Sequence, residues 1–287
     1  MSSWEPTPEQ WAGWETRGYF VIRGAIPRES AIEMRGVIKD LLLRPEPDVK
    51  ADDDPMDPMG DTPQARSARF RKLSNFCTHL PLIWHNFYCS DAMTTVARYF
   101  LGDTFFLKFN SCFVKPARTG SATPWHQDNG LWRDGETEPF NFWMALDPAT
   151  TENGCLQFIP GSHKLGIFPH LLYDDGIHAE LPREKVPTLI ADRGVEHCEL
   201  DSGDVVCWHS SICHYSPPNP SPRGRIAIAG VYSTPQITRR RKLPKHFYWV
   251  IRNGALCTAF PPQQVDISEI SGPDPFPAAE EAPVPVG

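Results

Sequence analysis

The stretch Phe140-Asn141-Phe142-Trp143-Met144-Ala145-Leu146 decides the fold class, because it is almost wholly apolar and runs directly into Asp147-Pro148. Turn-forming residues such as Asn153-Gly154 and Pro217-Pro218-Asn219-Pro220 separate it from similar runs. Those other runs are residues 104–109, 112–114, 156–159, 204–208 and 226–233. Many short strands with such turns predict a mainly β protein whose core is a double-sheet jelly roll, also called a double-stranded β-helix or cupin-like fold.

Helical signals precede this β region. Thr7-Pro8-Glu9-Gln10 combines an N-cap threonine, a proline at the first helical position and a capping-box glutamine. Gly18 ends that helix before the strand-like Tyr19–Ile22, and Pro27-Arg28-Glu29 begins a second helix. We therefore predict a single domain over residues 1–260, with a helical part at 7–100 and a β core at 104–235.

Two segments show neither the hydrophobic periodicity of a helix nor that of a strand. Residues 44–66 are acidic and dotted with proline, which indicates either a solvated insertion or a functional lid. Residues 261–287 are rich in proline, alanine and glutamate, and we predict an extended or disordered tail there.

Bulk composition excludes several classes of protein. The 287 residues are 40% hydrophobic and 22% charged, which is ordinary for a globular chain with a sizeable core. A net charge of −7 has the wrong sign for nucleic-acid binding, and no apolar run approaches the ~18 residues of a membrane span. Eight cysteines without a CxxC pair predict reduced core thiols, and with no leader-like N-terminus they predict a cytoplasmic protein.

The motif Trp125-His126-Gln127-Asp128 is the sharpest local signal. On an extended chain, side chains two residues apart project to the same side, so His126 and Asp128 can reach one metal ion. A distant histidine would complete a triad of two histidines and one carboxylate, which leaves iron positions open for oxygen chemistry. The motif alone is weak in a chain with ten histidines.

Residues further along the chain strengthen the interpretation of this motif as a metal site. His214 is followed eleven positions later by Arg225, whose guanidinium is suited to bind a carboxylate with two parallel hydrogen bonds. Ser216 offers a hydroxyl donor to the same carboxylate. His209 is a rival for His214, and Arg223 for Arg225. We favour His214 and Arg225, because a serine and an asparagine follow His214 and because Arg225 opens a strand.

Taken together, these motifs resemble the phytanoyl-CoA dioxygenase family of iron(II)/2-oxoglutarate-dependent oxygenases. The motifs occur in the family's order over about residues 8–235. They are His126-Gln127-Asp128, Asn153-Gly154-Cys155-Leu156, Pro160-Gly161-Ser162-His163, Gly203-Asp204-Val205-Val206, His214-x-Ser216-x-x-Asn219 and Arg225.

The resemblance implies the jelly-roll fold and a set of roles. It implies that Fe(II) is held by His126, Asp128 and His214, which are then also the catalytic residues. It further implies that the co-substrates are 2-oxoglutarate and O₂ and that the reaction oxidises a substrate C–H bond, usually by hydroxylation, with release of succinate and CO₂. Related halogenases lack the carboxylate, so Asp128 argues against halogenation. The 2-oxoglutarate contacts implied are Arg225, Ser216, Trp143 and, by a looser match, Lys72.

The substrate is only coarsely indicated. Aromatic residues crowd the triad motif and favour a small, partly apolar molecule, such as a natural-product intermediate. Trp132 is the best candidate to contact it, followed by Asn129 and Arg133.

Two other classes of function remain open. A jelly-roll isomerase or hydrolase with another metal would not need the pairing of Arg225 with Ser216. A non-catalytic module with a relic site would be expected to have lost a ligand, and none is missing from the sequence.

Overall fold

The computed structural model describes residues 5–44, 46–53, 70–132, 139–238, 246–272 and 285–286. Its helices are α1 (Pro8–Ala12), α2 (Arg28–Leu43), α3 (Pro81–Ile83), α4 (Asp91–Leu101), α5 (Asp128–Trp132) and α6 (Val186–Arg193), with π-helical turns at Gly13–Arg17 and Trp84–Tyr88. Short 3₁₀ turns lie at Thr151–Asn153, Ser162–Leu165 and Ile267–Glu269. The strands are β1 (Tyr19–Ile22), β2 (Lys50–Asp53), β3 (Phe70–Ser74), β4 (Phe105–Lys115), β5 (Thr123–His126), β6 (Phe140–Ala145), β7 (Leu156–Phe158), β8 (Leu172–Tyr173), β9 (Glu196–Cys198), β10 (Val205–His209), β11 (His214–Ser216), β12 (Arg225–Ser233), β13 (Tyr248–Arg252), β14 (Ala255–Leu256) and β15 (Pro285–Val286).

The helical signals at the N-terminus are confirmed. Thr7 accepts a hydrogen bond from the Gln10 backbone and the Gln10 side chain returns one, which completes the capping box of α1. Gly18 adopts a φ of 91° after the π-helical turn, a conformation that glycine tolerates best. The chain then enters β1 and α2 as predicted.

Two sheets carry the fold. The large one has the order β1-β10-β6-β12-β4-β13-β14, with β3 also paired to β4 and β2 to β3. The small one has the order β5-β11-β7-β9, and all pairings within both sheets are antiparallel. This is the mainly β, double-sheet architecture that the sequence predicts.

Alternation along the central strands separates two cores. In β6, Phe142 and Met144 belong to the cluster shared with the helices, whereas Trp143 and Ala145 belong to the cluster shared with the small sheet. Successive side chains of a strand point to opposite faces, so one strand serves both cores. The strands β10 and β12 follow the same rule, with the pairs Val205/Val206 and Ile226/Ala227 divided between the two clusters.

Two segments depart from the expectations. Strand β2 lies within the acidic stretch, where we expected only an insertion or lid, and it pairs with β3. Most of the remaining acidic stretch, residues 54–66, lies outside the described residues. The chain also stays packed beyond the predicted domain end, because Val265 and Ile270 are buried against Phe106 and Trp249. Apolar side chains at these two positions supply that packing despite the surrounding prolines.

All eight cysteines are free thiols and seven of them are buried, as the composition indicates. None of the helices in the described part of the chain has both the length and the apolar content that a bilayer crossing needs.

Candidate metal centre and co-substrate cavity

Three side chains from distant parts of the chain converge on one point. His126, Asp128 and His214 each offer a ligand atom, and these atoms lie within 4.8 Å of one another. The Nε2 atom of His126 is 3.5 Å from Asp128 Oδ1, and the Nε2 atom of His214 is 3.8 Å from Asp128 Oδ2. The structure therefore brings together the three residues that the sequence singles out.

Strand pairing places the two imidazoles side by side. β5 and β11 are antiparallel neighbours, and His126 stands directly opposite His214, with ring centroids 4.1 Å apart. Each ring also bonds the carbonyl two residues earlier, His126 through Nδ1 to Pro124 at 2.8 Å and His214 through Nδ1 to Ile212 at 3.2 Å. A carbonyl only accepts, so each Nδ1 carries the proton and each Nε2 keeps its lone pair for a metal.

The carboxylate reaches the site by a different route from the one expected. β5 ends at His126, and Asp128 is the first residue of helix α5, so the two side chains do not alternate along one strand. Gln127 anchors the turn between them, because its amide group donates to the carbonyls of Gly166 and Ser211 and accepts from the Phe168 backbone.

Two donors from the large sheet hold the Asp128 carboxylate. Its Oδ2 atom accepts hydrogen bonds from Trp208 Nε1 at 3.0 Å and from Asn141 Nδ2 at 3.1 Å. Burial by itself raises the pKa of this carboxyl group, but His214, His126 and the Trp208 bond outweigh burial and lower the pKa to about 2. Asp128 is therefore ionised at neutral pH and suited to bind a cation.

A cavity of about 310 Å³ opens beside the triad. Arg225 lies at its wall, 2% exposed, and its Nε and Nη1 atoms have no hydrogen-bond partner among the described residues. The guanidinium carbon is 5.0 Å from the centre of the Trp143 ring, which also lines the cavity. Burial lowers the pKa of Arg225 to about 10, so the group remains charged at neutral pH.

The other predicted co-substrate residues also lie at this cavity. Lys72 places its ammonium 5.0 Å from the ring centre of Phe109 and 5.6 Å from that of Phe113. Ser216 is buried and lines the cavity, but its hydroxyl donates to the Gly154 carbonyl at 2.9 Å. A serine has a single hydroxyl proton, so Ser216 must rotate before it can donate to a ligand.

The rivals are separated from the site. His209 packs its ring against Trp14 and His163 and does not belong to the triad. Burial lowers its pKa to about 4. The side chain of Arg223 is 78% exposed and faces Glu152.

Of the three residues predicted to contact the substrate, one lies at the cavity. Trp132 lines the cavity. Asn129 is buried, with its backbone N–H donating to the Ser210 carbonyl, and is not among the described lining residues. Arg133 lies outside the residues that the structure describes.

The sequence did not identify three residues that lie at the site. His178 lines the cavity with its ring centroid 4.9 Å from that of His126, and burial lowers its pKa to about 3, although no flanking pattern marks it. Asn141 carried a readable signal, since it is the one polar residue in the apolar run 140–146. Trp208 carried none, because an apolar strand accounts for it equally well.

Comparison with known proteins agrees with this geometry. The family model described as "Phytanoyl-CoA dioxygenase (PhyH)" matches residues 14–227. A protein named phytanoyl-CoA dioxygenase 1 from Oryza sativa subsp. japonica is 36% identical over 118 residues, which is 41% of this chain and 40% of that protein. An L-proline trans-4-hydroxylase from Streptomyces griseoviridis is 31% identical over 159 residues, covering 50% of this chain and 59% of that protein. The aligned regions thus span less than two thirds of either relative.

A solved structure supports the fold. EctD from S. alaskensis, crystallised with 2-oxoglutarate and 5-hydroxyectoine, superposes with a TM-score of 0.63 at 21% identity. The superposition covers 80% of this chain and 76% of that one. The double-stranded β-helix predicted from the strand pattern is thereby confirmed.

Proposed function

Because this chain belongs to the phytanoyl-CoA dioxygenase family, we propose that it is an Fe(II)- and 2-oxoglutarate-dependent dioxygenase. The proposed reaction is the oxidation, and specifically the hydroxylation, of a C–H bond of a small and partly apolar molecule. O₂ is a co-substrate, and succinate and CO₂ are products. The observation that carries the proposal is the combination of a buried His-Asp-His cluster with the buried Arg225, whose Nε and Nη1 donors have no partner among the described residues.

The donor set fits iron(II). His126, His214 and Asp128 would hold the metal through two imidazole nitrogens and one carboxylate, the ligand set of non-haem iron oxygenases. Iron(II) and 2-oxoglutarate, when bound, supply the activation of O₂ for attack on a C–H bond. The protein fixes the ligand atoms beforehand, since both rings and the carboxylate are hydrogen-bonded to the surrounding fold.

Arg225 fits a carboxylate of 2-oxoglutarate. A guanidinium buried in a cavity needs an anionic partner, and its planar geometry matches two carboxylate oxygens. Trp143 lies against the guanidinium and restricts its motion. Lys72 and Ser216 lie at the same cavity and are the next contacts that we propose.

Apolar walls keep water from the reacting centre. The cavity is lined by the aromatic rings of Phe109, Phe113, Trp143 and Trp208. These rings exclude water from the groups that bind there. A site of this kind protects a reactive oxidant from side reactions and favours substrates with apolar surface.

The name of the Streptomyces relative, a hydroxylase of an amino acid, supports hydroxylation of a small molecule. Eight free cysteines suit a reducing compartment, and we place the enzyme in the cytoplasm.

A matched pair of arginine variants tests the proposal. The wild-type protein, given Fe(II), ascorbate and 2-oxoglutarate, should release succinate above the protein-free blank. Arg225→Gln should lower kcat/KM for 2-oxoglutarate by about 100-fold or more, because charge-assisted hydrogen bonds to a buried carboxylate are lost. Arg223→Gln, two residues away and exposed, should match the wild type. Equal rates in both variants, or no succinate from the wild type, would contradict the proposal.

A further inference from the structure

The loop between Leu171 and Glu180 brings His178 to the wall of the cavity. Leu171 and Glu180 exchange two backbone hydrogen bonds of 2.8 Å, which close the loop at its base. Arg183 holds the loop from outside, because its guanidinium donates to the carboxylates of Asp175 and Glu180. A loop supported in this way can keep a side chain in one position.

A backbone contact also fixes this loop relative to the proposed metal ligands. The Leu181 N–H donates to the Trp125 carbonyl at 2.8 Å, and His126 follows Trp125 in β5. The ring of His178 packs edge-on against that of His126, with 4.9 Å between the ring centroids. His178 is not a member of the ligand cluster itself. Its ring therefore lies beside the proposed metal centre without belonging to it.

The hydrogen bonds of His178 leave one ring nitrogen for a ligand. Its Nδ1 atom lies 2.7 Å from the Ala179 carbonyl oxygen. A carbonyl oxygen only accepts, so Nδ1 carries the proton and Nε2 of the neutral ring holds the lone pair. The cationic side chains of Arg71 and Lys72 line the same cavity, and positive charge nearby favours the neutral ring. Within the described part of the chain, Nε2 takes part in no hydrogen bond.

The other polar side chains of the cavity differ from His178 in what they can bind. Among the described residues that line it, four cationic side chains and three tryptophan indoles can only donate. Four hydroxyl side chains both donate and accept. His126, Asp128 and His214 accept, but they are the proposed metal ligands. Among these described residues, Nε2 of His178 is thus the one side-chain acceptor that neither donates nor binds the metal.

A hydrogen-bond donor on the substrate is the partner that suits this atom. An ammonium group could donate, but it would meet the positive charge of the cationic side chains. A carboxylate has no proton to donate to Nε2. A hydroxyl group is uncharged, and its oxygen would lie about 2.8 Å from Nε2.

We propose that the substrate of this site carries a hydroxyl group on an apolar body, and that this hydroxyl donates a hydrogen bond to Nε2 of His178. The bond would hold the C–H bonds beside the hydroxyl close to the proposed metal ligands, because the His178 ring is in contact with His126. His178 then both selects the substrate and orients it. This inference rests on the proposed function, which places the oxidation at the metal centre.

A pair of matched probes tests the inference. The protein is loaded with Mn(II), which replaces iron without redox chemistry, and saturated with 2-oxoglutarate. Cyclohexanol and methoxycyclohexane share a ring and an oxygen, but only the alcohol can donate a hydrogen bond. The relaxation of their protons by Mn(II), measured by nuclear magnetic resonance, reports both affinity and distance from the metal.

The alcohol should bind about 5-fold or more tightly than the ether, because only the alcohol satisfies the buried acceptor. The proton on the hydroxyl-bearing carbon should be relaxed most strongly of all the ring protons. Cyclohexylamine and cyclohexanecarboxylate, titrated in the same way, should each bind more weakly than cyclohexanol.

Variants of His178 identify the acceptor. His178→Phe keeps an aromatic ring and should reduce the preference for the alcohol to about 1-fold. His178→Gln, whose amide oxygen accepts, should restore part of the preference. His197→Phe, at an exposed position of β9, is the matched control and should keep the full preference. Because both probes are measured on each variant, a general loss of folded protein leaves the ratio unchanged.

Four outcomes would overturn the inference. They are equal binding of alcohol and ether, no measurable binding of cyclohexanol, tighter binding of the amine or the carboxylate, and a preference that survives His178→Phe. Calorimetry of 2-oxoglutarate separates such a failure from that of the proposed function. If 2-oxoglutarate binds the Mn(II)-loaded wild type and not Arg225→Gln, the proposed function stands while the hydroxyl proposal falls. If 2-oxoglutarate binds neither protein, the proposed function itself fails.

Discussion

Asp128 receives two hydrogen bonds on one oxygen, and this arrangement determines how the carboxylate can bind a metal. Trp208 and Asn141 both donate to Oδ2, so Oδ1 is the oxygen less engaged by the protein. Partners of this kind fix the orientation of a ligand, and their loss commonly costs 10–100-fold in metal affinity.

Removing the indole donor should therefore weaken metal binding. We expect Trp208→Phe to raise the dissociation constant for Mn(II) by about 10-fold or more, since the N–H bond to Asp128 is lost. Trp249→Phe is the control, because Trp249 Nε1 has no hydrogen-bond partner among the described residues. Metal titration followed by electron paramagnetic resonance measures both constants. Equal affinity in the two variants would show that the Trp208 bond has no positioning role.

Gly130 provides a second test at a single position. An added Cβ atom would lie 2.0 Å from His170 Cε1, and the His170 ring accepts the Gln127 backbone N–H at 2.9 Å. The ring must move, and the turn that carries Asp128 loses its support.

We expect Gly130→Ala to lower the free energy of unfolding by about 1–3 kcal/mol, the usual cost of overpacking. Gly36→Ala on α2, where nothing lies within 4 Å of the new atom, should raise it by about 0.5–1 kcal/mol. Urea denaturation measures both, and a Gly130 variant as stable as the wild type would rule out the clash.

At the scale of elements, the end of β10 meets the turn Ser162–Leu165 through a pair of histidines. The His209 and His163 ring centroids are 5.1 Å apart, and burial lowers the pKa of both, to about 4 for His209. In the unfolded chain both return to an ordinary value near 6.5. Between pH 6.5 and about 4 the unfolded state therefore binds more protons, and stability falls as the pH falls.

A substitution isolates this contribution. His209→Asn removes the titrating ring and keeps a side-chain acceptor for the Ser211 N–H, which now bonds His209 Nδ1 at 3.3 Å. The loss of unfolding free energy on going from pH 7 to pH 4 should be smaller in the variant, by up to about 3 kcal/mol. Parallel pH profiles for the two proteins would exclude His209 as the source.

Whether a site residue could be predicted depends on whether its partners lie in the same element or in a distant one. The proposed ligands were visible in sequence because each stands in a local motif, but the period-two argument for His126 and Asp128 was wrong, since α5 begins at Asp128. The spacing was right and its cause was a turn anchored by Gln127. Trp208 and His178 could not be assigned, because their partners lie 80 and 52 positions away in the chain and no local pattern encodes that contact.

On the scale of the whole molecule, the site draws on both sheets. The two proposed histidine ligands belong to β5 and β11 of the small sheet, whereas Arg225 and Trp143 belong to β12 and β6 of the large one. The double-sheet fold could be predicted from strand spacing, yet the acidic strand β2 and the packed segment around Ile270 could not. Their stabilising contacts are made with distant residues.

Ligand binding should stabilise the complete fold. We expect Mn(II) to raise the melting temperature and 2-oxoglutarate to raise it further, since a ligand at 100 times its dissociation constant contributes about 2.7 kcal/mol. The second increment should be absent from Arg225→Gln and present in Arg223→Gln, as differential scanning calorimetry would measure. A 2-oxoglutarate shift of equal size in both variants would disprove the assigned role of Arg225.

The division of the site between two sheets has a mechanical consequence. A diacid that contacted a metal held by the small sheet and the guanidinium on the large sheet would link the two sheets. Local opening of the two sheets would then be less frequent while the co-substrate is bound. Amide hydrogen exchange in β7 and β11 should therefore be slower in the complex than in the free protein.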